Sequence, residues 1–167
     1  RVLHSFPTRR SSDLDPSLPL VDLQVTIRVG AYLVPAGKEG VAGAVGSQIR
    51  AAGVEGRSPE AFDEEVAFLA ADMSTSIGNT QGSASFNCLT KDLEQVMELF
   101  FHMLRKPAFD QKRLEIYRSQ VLQNLARRND STDSIESREW QRLLRGPEHF
   151  TNDKVTKGVV EGITRED

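Results

Sequence analysis

A single cysteine, Cys88, stands in the 167-residue sequence. One cysteine excludes an internal disulfide, so cysteine usage does not fix the redox compartment. Its flanks, SFNCLT, read as a buried strand position rather than a nucleophile. Long apolar runs are missing too. None approaches the roughly 18–20 residues that span a bilayer. A basic stripe is also absent: 21 Lys and Arg face 24 Asp and Glu, for a net charge of −3. That balance argues against nucleic acid as a partner. No repeat of about 20–50 residues recurs along the chain. Histidine is scarce, and no histidine has an i, i+4 partner to form a metal pair. His4 lies near the start, His102 sits off an apolar stripe between Phe101 and Met103, and His149 lies in a loop, GPEHF.

Residues 4–14 read HSFPTRRSSDL, which matches one translated frame of a common sequencing-library adaptor. Residues 1–14 are therefore read as an adaptor-like, non-native tail and set aside from fold reasoning. Residues 15–167 are read as one partial α+β domain. Without the tail, which holds three Arg and one Asp, the net charge falls from −3 to −5. The final ITRED reads as a helix start, with Thr164 as N-cap and Glu166 and Asp167 at the positive end of the dipole. The chain is accordingly expected to be a fragment cut at both ends. Its compartment stays open between bacterial periplasm and cytoplasm.

Between these ends the pattern alternates between the two regular periods. In residues 20–29, Val21, Leu23, Val25 and Ile27 alternate with Asp22, Gln24 and Thr26, which predicts a half-buried strand. A helix is expected over residues 37–53. Ser58 as N-cap and Pro59 at the first position announce another over 59–71, with Phe62, Val66, Leu69 and Ala70 on one face. Two short strands follow, around 72–78 and 81–89, joined at Gly78-Asn79-Thr80. Leu93, Val96, Met97, Phe100, Phe101 and Leu104 form a helical stripe that Pro107 ends. Asp110 opens a helix to about residue 129, with Leu114, Tyr117, Val121 and Leu125 inward. A last helix runs from Ser131–Ser134 through Trp140, Leu143 and Leu144 to a Gly146 cap. Strands and helices in this order predict α+β rather than a doubly wound α/β domain.

The segment GVAGAVGSQIRAAG at residues 40–53 follows a strand and a Pro/Gly-marked connection, AYLVPAGKEG. Downstream come SPEAFDEEVAFLAADMSTSIG and LTKDLEQVMELFFHMLRKPAFDQKRLEIYRSQVL, with an R-x-P-x-F corner. In order and spacing these blocks resemble the pitrilysin/insulinase/mitochondrial-processing-peptidase family of zinc metallopeptidases, from Leu20 to Asp167. The resemblance implies a unit with a mixed, mostly antiparallel sheet covered by helices on one side. It implies two or four such units closing around a chamber, and many members pair a zinc-bearing unit with one that lacks zinc.

Active members carry H-x-x-E-H in the corresponding helix and a further Glu about 75 residues on. Here the five positions hold Gly43, Ala44, Val45, Gly46 and Ser47. The distal position falls on Asn124, in QVLQNLARR, with 76 residues between Ser47 and Asn124. Catalytic zinc needs three His, Cys or carboxylate ligands and an open position for water. Glycine offers no side chain, Ser and Asn are poor ligands, and Gly46 cannot take a proton as the base would. Ser47 has no His or Lys motif to make it a nucleophile. The expectation is that Gly43, Gly46, Ser47 and Asn124 are degenerate site positions and that this segment holds no metal. Zinc is expected only in a catalytic partner unit.

Three glycines, Gly40, Gly43 and Gly46, fall on one face of the expected helix. They read either as a former metal face or as a smooth face that lets another element approach. In relatives the strand corresponding to 72–78 receives a peptide by strand addition. Ser74, Thr75, Ser76 and Asn79 are candidate peptide-binding positions on that basis, and the other reading is an ordinary solvated edge strand. The resemblance implies a non-catalytic unit that shapes the chamber and supports peptide binding by a catalytic unit in the same or another chain. Two alternatives remain: the inactive half of a longer chain whose other half is an active zinc endopeptidase, or a purely structural subunit.

Overall fold

A computed structural model describes residues 19–152 and 155–167. The adaptor-like tail lies outside the described residues. Three strands, β1 (Leu20–Ile27), β2 (Asp72–Ile77) and β3 (Gly82–Leu89), form a sheet of order β1-β3-β2. Both pairings are antiparallel, with Leu23 and Met73 flanking Phe86 from either side. The expected parallel contribution is absent among the described residues.

Period two sorts the side chains onto two faces. Gly82, Ala84, Phe86 and Cys88 are buried along β3, with Met73 of β2 beside them. Val21, Leu23 and Val25 of β1 complete that face. The opposite face is polar. The Ser74 and Ser85 hydroxyls are 2.8 Å apart, those of Ser76 and Ser83 are 2.9 Å apart, and Asn87 Nδ2 donates to Asp22 Oδ1 at 2.6 Å. Helices cover the apolar face only. Burial also pushes the Cys88 thiol pKa up, in keeping with a packing role.

Six helices are described: α1 (Val41–Ala51), α2 (Pro59–Phe68), α3 (Leu93–Arg105), α4 (Gln111–Arg127), α5 (Thr132–Arg145) and α6 (Lys157–Glu161). Three of the N-caps read from the sequence are made. Ser58 accepts from Ala61 N, Asp110 from Arg113 N, and Ser131 from Ser134 N, each replacing a bond the first helical turn lacks. The main core joins α2 and α3 to the sheet through Phe62, Val66, Val96, Phe100 and Met103. Phe86 and Phe100 meet edge to face at 5.1 Å.

Several expectations are corrected. The helix expected from residue 37 begins at Val41, because Gly40 takes a left-handed φ of 96° as its N-cap. The helix expected through residue 71 stops at Phe68, and Ala70 turns the chain at a φ of 46°. On α3 the buried side chains are Val96, Leu99, Phe100 and Met103, while Phe101 is exposed. The stripe is rotated because the helix rests on a broad sheet face rather than a narrow seam. On α5, Trp140, Leu143 and Leu144 are exposed. The expected helix start at ITRED is a turn instead, in which the Thr164 N–H donates to Asp167 Oδ2 at 3.0 Å. A short helix, α6, precedes it with Thr156 as N-cap.

Candidate functional site

Residues 43–47 lie on α1, which packs along β2 and against α4. Of the five positions 43–47, Ala44 and Gly46 are buried. A Cβ on Gly46 would lie 2.4 Å from the backbone nitrogen of Ile77 and 2.9 Å from the carbonyl carbon of Ser76. Real Cβ atoms do not come that close to backbone. Glycine therefore lets α1 settle directly onto the strand. Two side-chain bonds hold the seam. Thr75 Oγ1 donates to the Gly46 carbonyl at 2.7 Å, and Arg50 Nε donates to the Met73 carbonyl at 3.2 Å. Arg50 also pairs with Asp63 Oδ1 at 2.5 Å and lies over the Phe62 ring.

Gly43 is exposed and faces a different neighbour. The Tyr117 hydroxyl lies 3.3 Å from where a Cβ at Gly43 would stand. The phenol thus occupies space that a ligand side chain at residue 43 would enter. Burial raises the Tyr117 pKa. Ser47, one turn on, is half-buried. The three glycines expected on one face are divided by the structure: Gly40 caps the helix, Gly43 meets α4 and Gly46 meets β2.

Asn124 is exposed on α4, seven residues beyond Tyr117 and on the same helical face, about 10 Å further along the axis. Asp110 N donates to Ala52 O at the far end of α1, so α4 runs back along α1 toward its N-terminus. The structure brings Gly43 and Tyr117 together, whereas Asn124 lies further along α4. Among the described residues no group of three or more His, Cys, Asp or Glu is placed to hold a metal ion. Gly43, Gly46, Ser47 and Asn124 supply no zinc donor of the usual kind.

The candidate peptide positions divide as well. β2 is an outer strand of the sheet. Ser74 and Ser76 stand on its solvent face, bonded to β3, while Thr75 turns inward to Gly46. Asn79 sits in the β2–β3 turn, where its carbonyl accepts from Tyr32 N at 3.3 Å. Gly30 lies beneath this turn, and a Cβ on it would be 2.3 Å from the Asn79 oxygen.

Arg50 and Tyr117 are the residues that sequence reasoning did not assign to the site. Tyr117 was legible as an inward residue of α4, but its approach to Gly43 depends on how two helices cross.

No protein-family model matches the sequence, and no curated protein matches it significantly. Solved structures do. A peptidase M16 inactive domain from Pseudomonas fluorescens superposes with a TM-score of 0.74 at 21% identity, covering 86% of this chain and 37% of that one. A protease from Helicobacter pylori gives 0.72 at 14% identity, over 89% of this chain and 36% of that one. The ferredoxin protease FusC, solved in complex with Arabidopsis ferredoxin, gives 0.71 at 16% identity, over 89% and 16%. The chain thus spans from about a sixth to just over a third of the length of these proteins. No helix among the described residues is long and apolar enough to cross a membrane. With its strand order, one-sided helical cover and these superpositions, the chain has the M16 peptidase fold, the fold of a known inactive domain.

Proposed function

We propose that this chain is a non-catalytic unit of a zinc-metallopeptidase-family protein, forming part of a chamber wall and supporting peptide binding by a catalytic partner unit. The observation that carries the reading is the seat of Gly46 on β2. The position where active relatives place the general base has no volume for any side chain. A peptidase of this class also needs three zinc ligands, and Gly43, Ser47 and Asn124 supply none of the usual kind. The likeness to an inactive domain of the same fold supports the assignment.

Peptide support is placed at the β2 edge, near Ser74, Thr75, Ser76 and Asn79. A strand added there would compete with Arg50 for the Met73 carbonyl. The partner would bring the zinc and the H-x-x-E-H helix, in the same chain or in another. The greater length of the matched proteins favours the version in which this unit works beside further units.

The test uses the full-length protein, with and without its H-x-x-E-H-bearing unit inactivated, and a library of quenched fluorescent peptides. Turnover should vanish when the partner's motif is mutated. It should change in KM more than in kcat when Arg50 is replaced at the β2 edge. Turnover that survives loss of every intact motif, with zinc bound to this unit, would overturn the proposal.

A further inference from the structure

A cleft of about 470 Å³ opens beside Gly43, between the start of α1, the loop before it, the end of β2 and the segment after α5. Its two aromatic side chains come from residues far apart in the chain. Tyr32 and Phe150 meet edge to face, with ring centroids 6.3 Å apart, yet they stay 45% and 43% exposed. Each is held from behind. Ala31 N donates to Gly78 O at 3.0 Å and Tyr32 N to Asn79 O at 3.3 Å. The His149 ring stacks on Phe150 at 4.6 Å, and its Nδ1 lies 2.8 Å from the Thr151 hydroxyl. On the α1 side, Gly40, Ala42 and Gly43 offer nothing longer than a methyl group.

Polar side chains line the cleft as well, and they have partners. Glu39 Oε1 accepts from Gly37 N, and Glu148 has a partner of its own. Thr151 Oγ1 accepts from Arg145 Nη1 at 2.6 Å. Asn152 Nδ2 donates to the Gly146 and Pro147 carbonyls. The surface these bonds leave for a ligand is mainly the two rings, with Val34 and Ile77 beside them. Exposed aromatic rings of this kind are enriched at the centres of interfaces, where a further ring adds contact energy to burial.

The place of the cleft selects the ligand. Ile77, Gly78 and Asn79 line it, and they are where β2 ends. A peptide strand added to β2 therefore reaches the cleft just beyond Ile77. In strand addition the main chain supplies affinity, and pockets for individual side chains supply specificity. We propose that this cleft is the pocket that selects among peptides on the β2 edge, and that it takes an aromatic side chain against Tyr32 and Phe150. The proposal rests on the reading that a peptide pairs with β2.

Fluorescence anisotropy tests this on the full-length protein together with its H-x-x-E-H-bearing unit, inactivated so that no peptide is cut. The probes are a labelled peptide of alternating Thr and Ala, and versions with one Phe, Lys or Glu placed at each position in turn. The best Phe version should bind about fivefold or more tighter than the parent peptide, and no Lys or Glu version should match it. Tyr32→Ala and Phe150→Ala should each lose most of that gain, measured against the parent peptide in the same variant. Tyr32→Phe keeps the ring and should retain the gain. Both rings are nearly half exposed, so the variants should melt close to wild type. Arg50→Gln separates the pocket from the pairing: it frees the Met73 carbonyl and should shift the parent and Phe peptides by the same factor. An Arg50-dependent shift without a Phe gain, or a Phe gain that survives loss of both rings, would overturn the pocket and leave the pairing standing. A larger gain for Lys or Glu would also overturn it. No binding of any peptide would overturn pocket and pairing together.

Discussion

Gly46 and Ile77 stand so close that a Cβ on the first would lie 2.4 Å from the backbone nitrogen of the second. The contact is helix to strand, backbone to backbone, and it sits where an active peptidase would need a glutamate. With no side chain at Gly46, α1 rests directly on β2, where Thr75 and Arg50 hold it.

Gly46→Ala should therefore be strongly destabilising although alanine favours helix. The helix-propensity gain of about 1 kcal/mol is set against overpacking on backbone that cannot rotate away, of about 3 kcal/mol or more. Urea denaturation of the full-length protein checks this. The companion Gly43→Ala meets only the end of a tyrosine side chain and should be close to neutral. Equal effects at the two positions would refute the distinction.

Rebuilding the motif as Gly43→His, Gly46→Glu, Ser47→His and Asn124→Glu looks feasible from spacing alone. The structure reverses that expectation. Glutamate has no volume at residue 46, and histidine at residue 43 must displace the Tyr117 phenol. The quadruple variant should melt well below wild type, and added zinc should not restore it. A zinc-dependent rise in its melting temperature to the wild-type value would show that α1 can lift from β2.

The raised pKa of Tyr117 gives a pH signature. The folded state holds this proton more tightly than the unfolded state, whose phenol titrates near its ordinary value of about 10. The contribution is complete below that value and is lost as pH rises through the folded one. Stability should fall above about pH 10, and Tyr117→Phe should make that fall shallower. Chemical denaturation at pH 8 and at pH 10.5 separates the outcomes (both values are about a unit or two around the phenol range). Identical slopes in the two proteins would contradict the assignment.

Arg50 joins three elements: α1 through its backbone, β2 through the Met73 carbonyl, and α2 through Asp63 and Phe62. Arg50→Gln should cost about 1–2 kcal/mol, because a charged hydrogen bond and the packing of the side-chain stem are lost together. Asp63 is nearly half exposed and can return to water. Asp63→Asn should accordingly cost less than Arg50→Gln in the same denaturation assay.

Ala70 holds a left-handed φ of 46° on the surface just after α2. Alanine there carries a steric cost of about 1 kcal/mol that glycine avoids. Ala70→Gly should raise stability by a few tenths to about 1 kcal/mol after its own chain entropy is counted. A lower melting temperature would show that the turn is held by something other than backbone sterics.

The sequence by itself determined the three strands and the first five helices, apart from their exact ends, and missed α6 and the turn at ITRED. Alternation at Val21, Leu23 and Val25 and at Ala84, Phe86 and Cys88 marks two half-buried strands, because neighbouring side chains in a strand point to opposite faces. Ser58, Asp110 and Ser131 mark helix starts, because a side-chain oxygen is the nearest acceptor for an unpaired amide. That Gly43, Gly46, Ser47 and Asn124 carry no usual zinc donor was also legible, since whether a side chain has such a donor atom depends on residue type alone. Tertiary structure decided what those positions became. Gly40, Gly43 and Gly46 look alike in sequence, yet one caps a helix, one meets a phenol and one seats on a strand. The exposure of Phe101, the burial of Gln48 and the left-handed Phe109 were likewise outside local reading. Each depends on which surface of a helix meets which neighbour, and that is fixed by contacts between residues far apart in the chain.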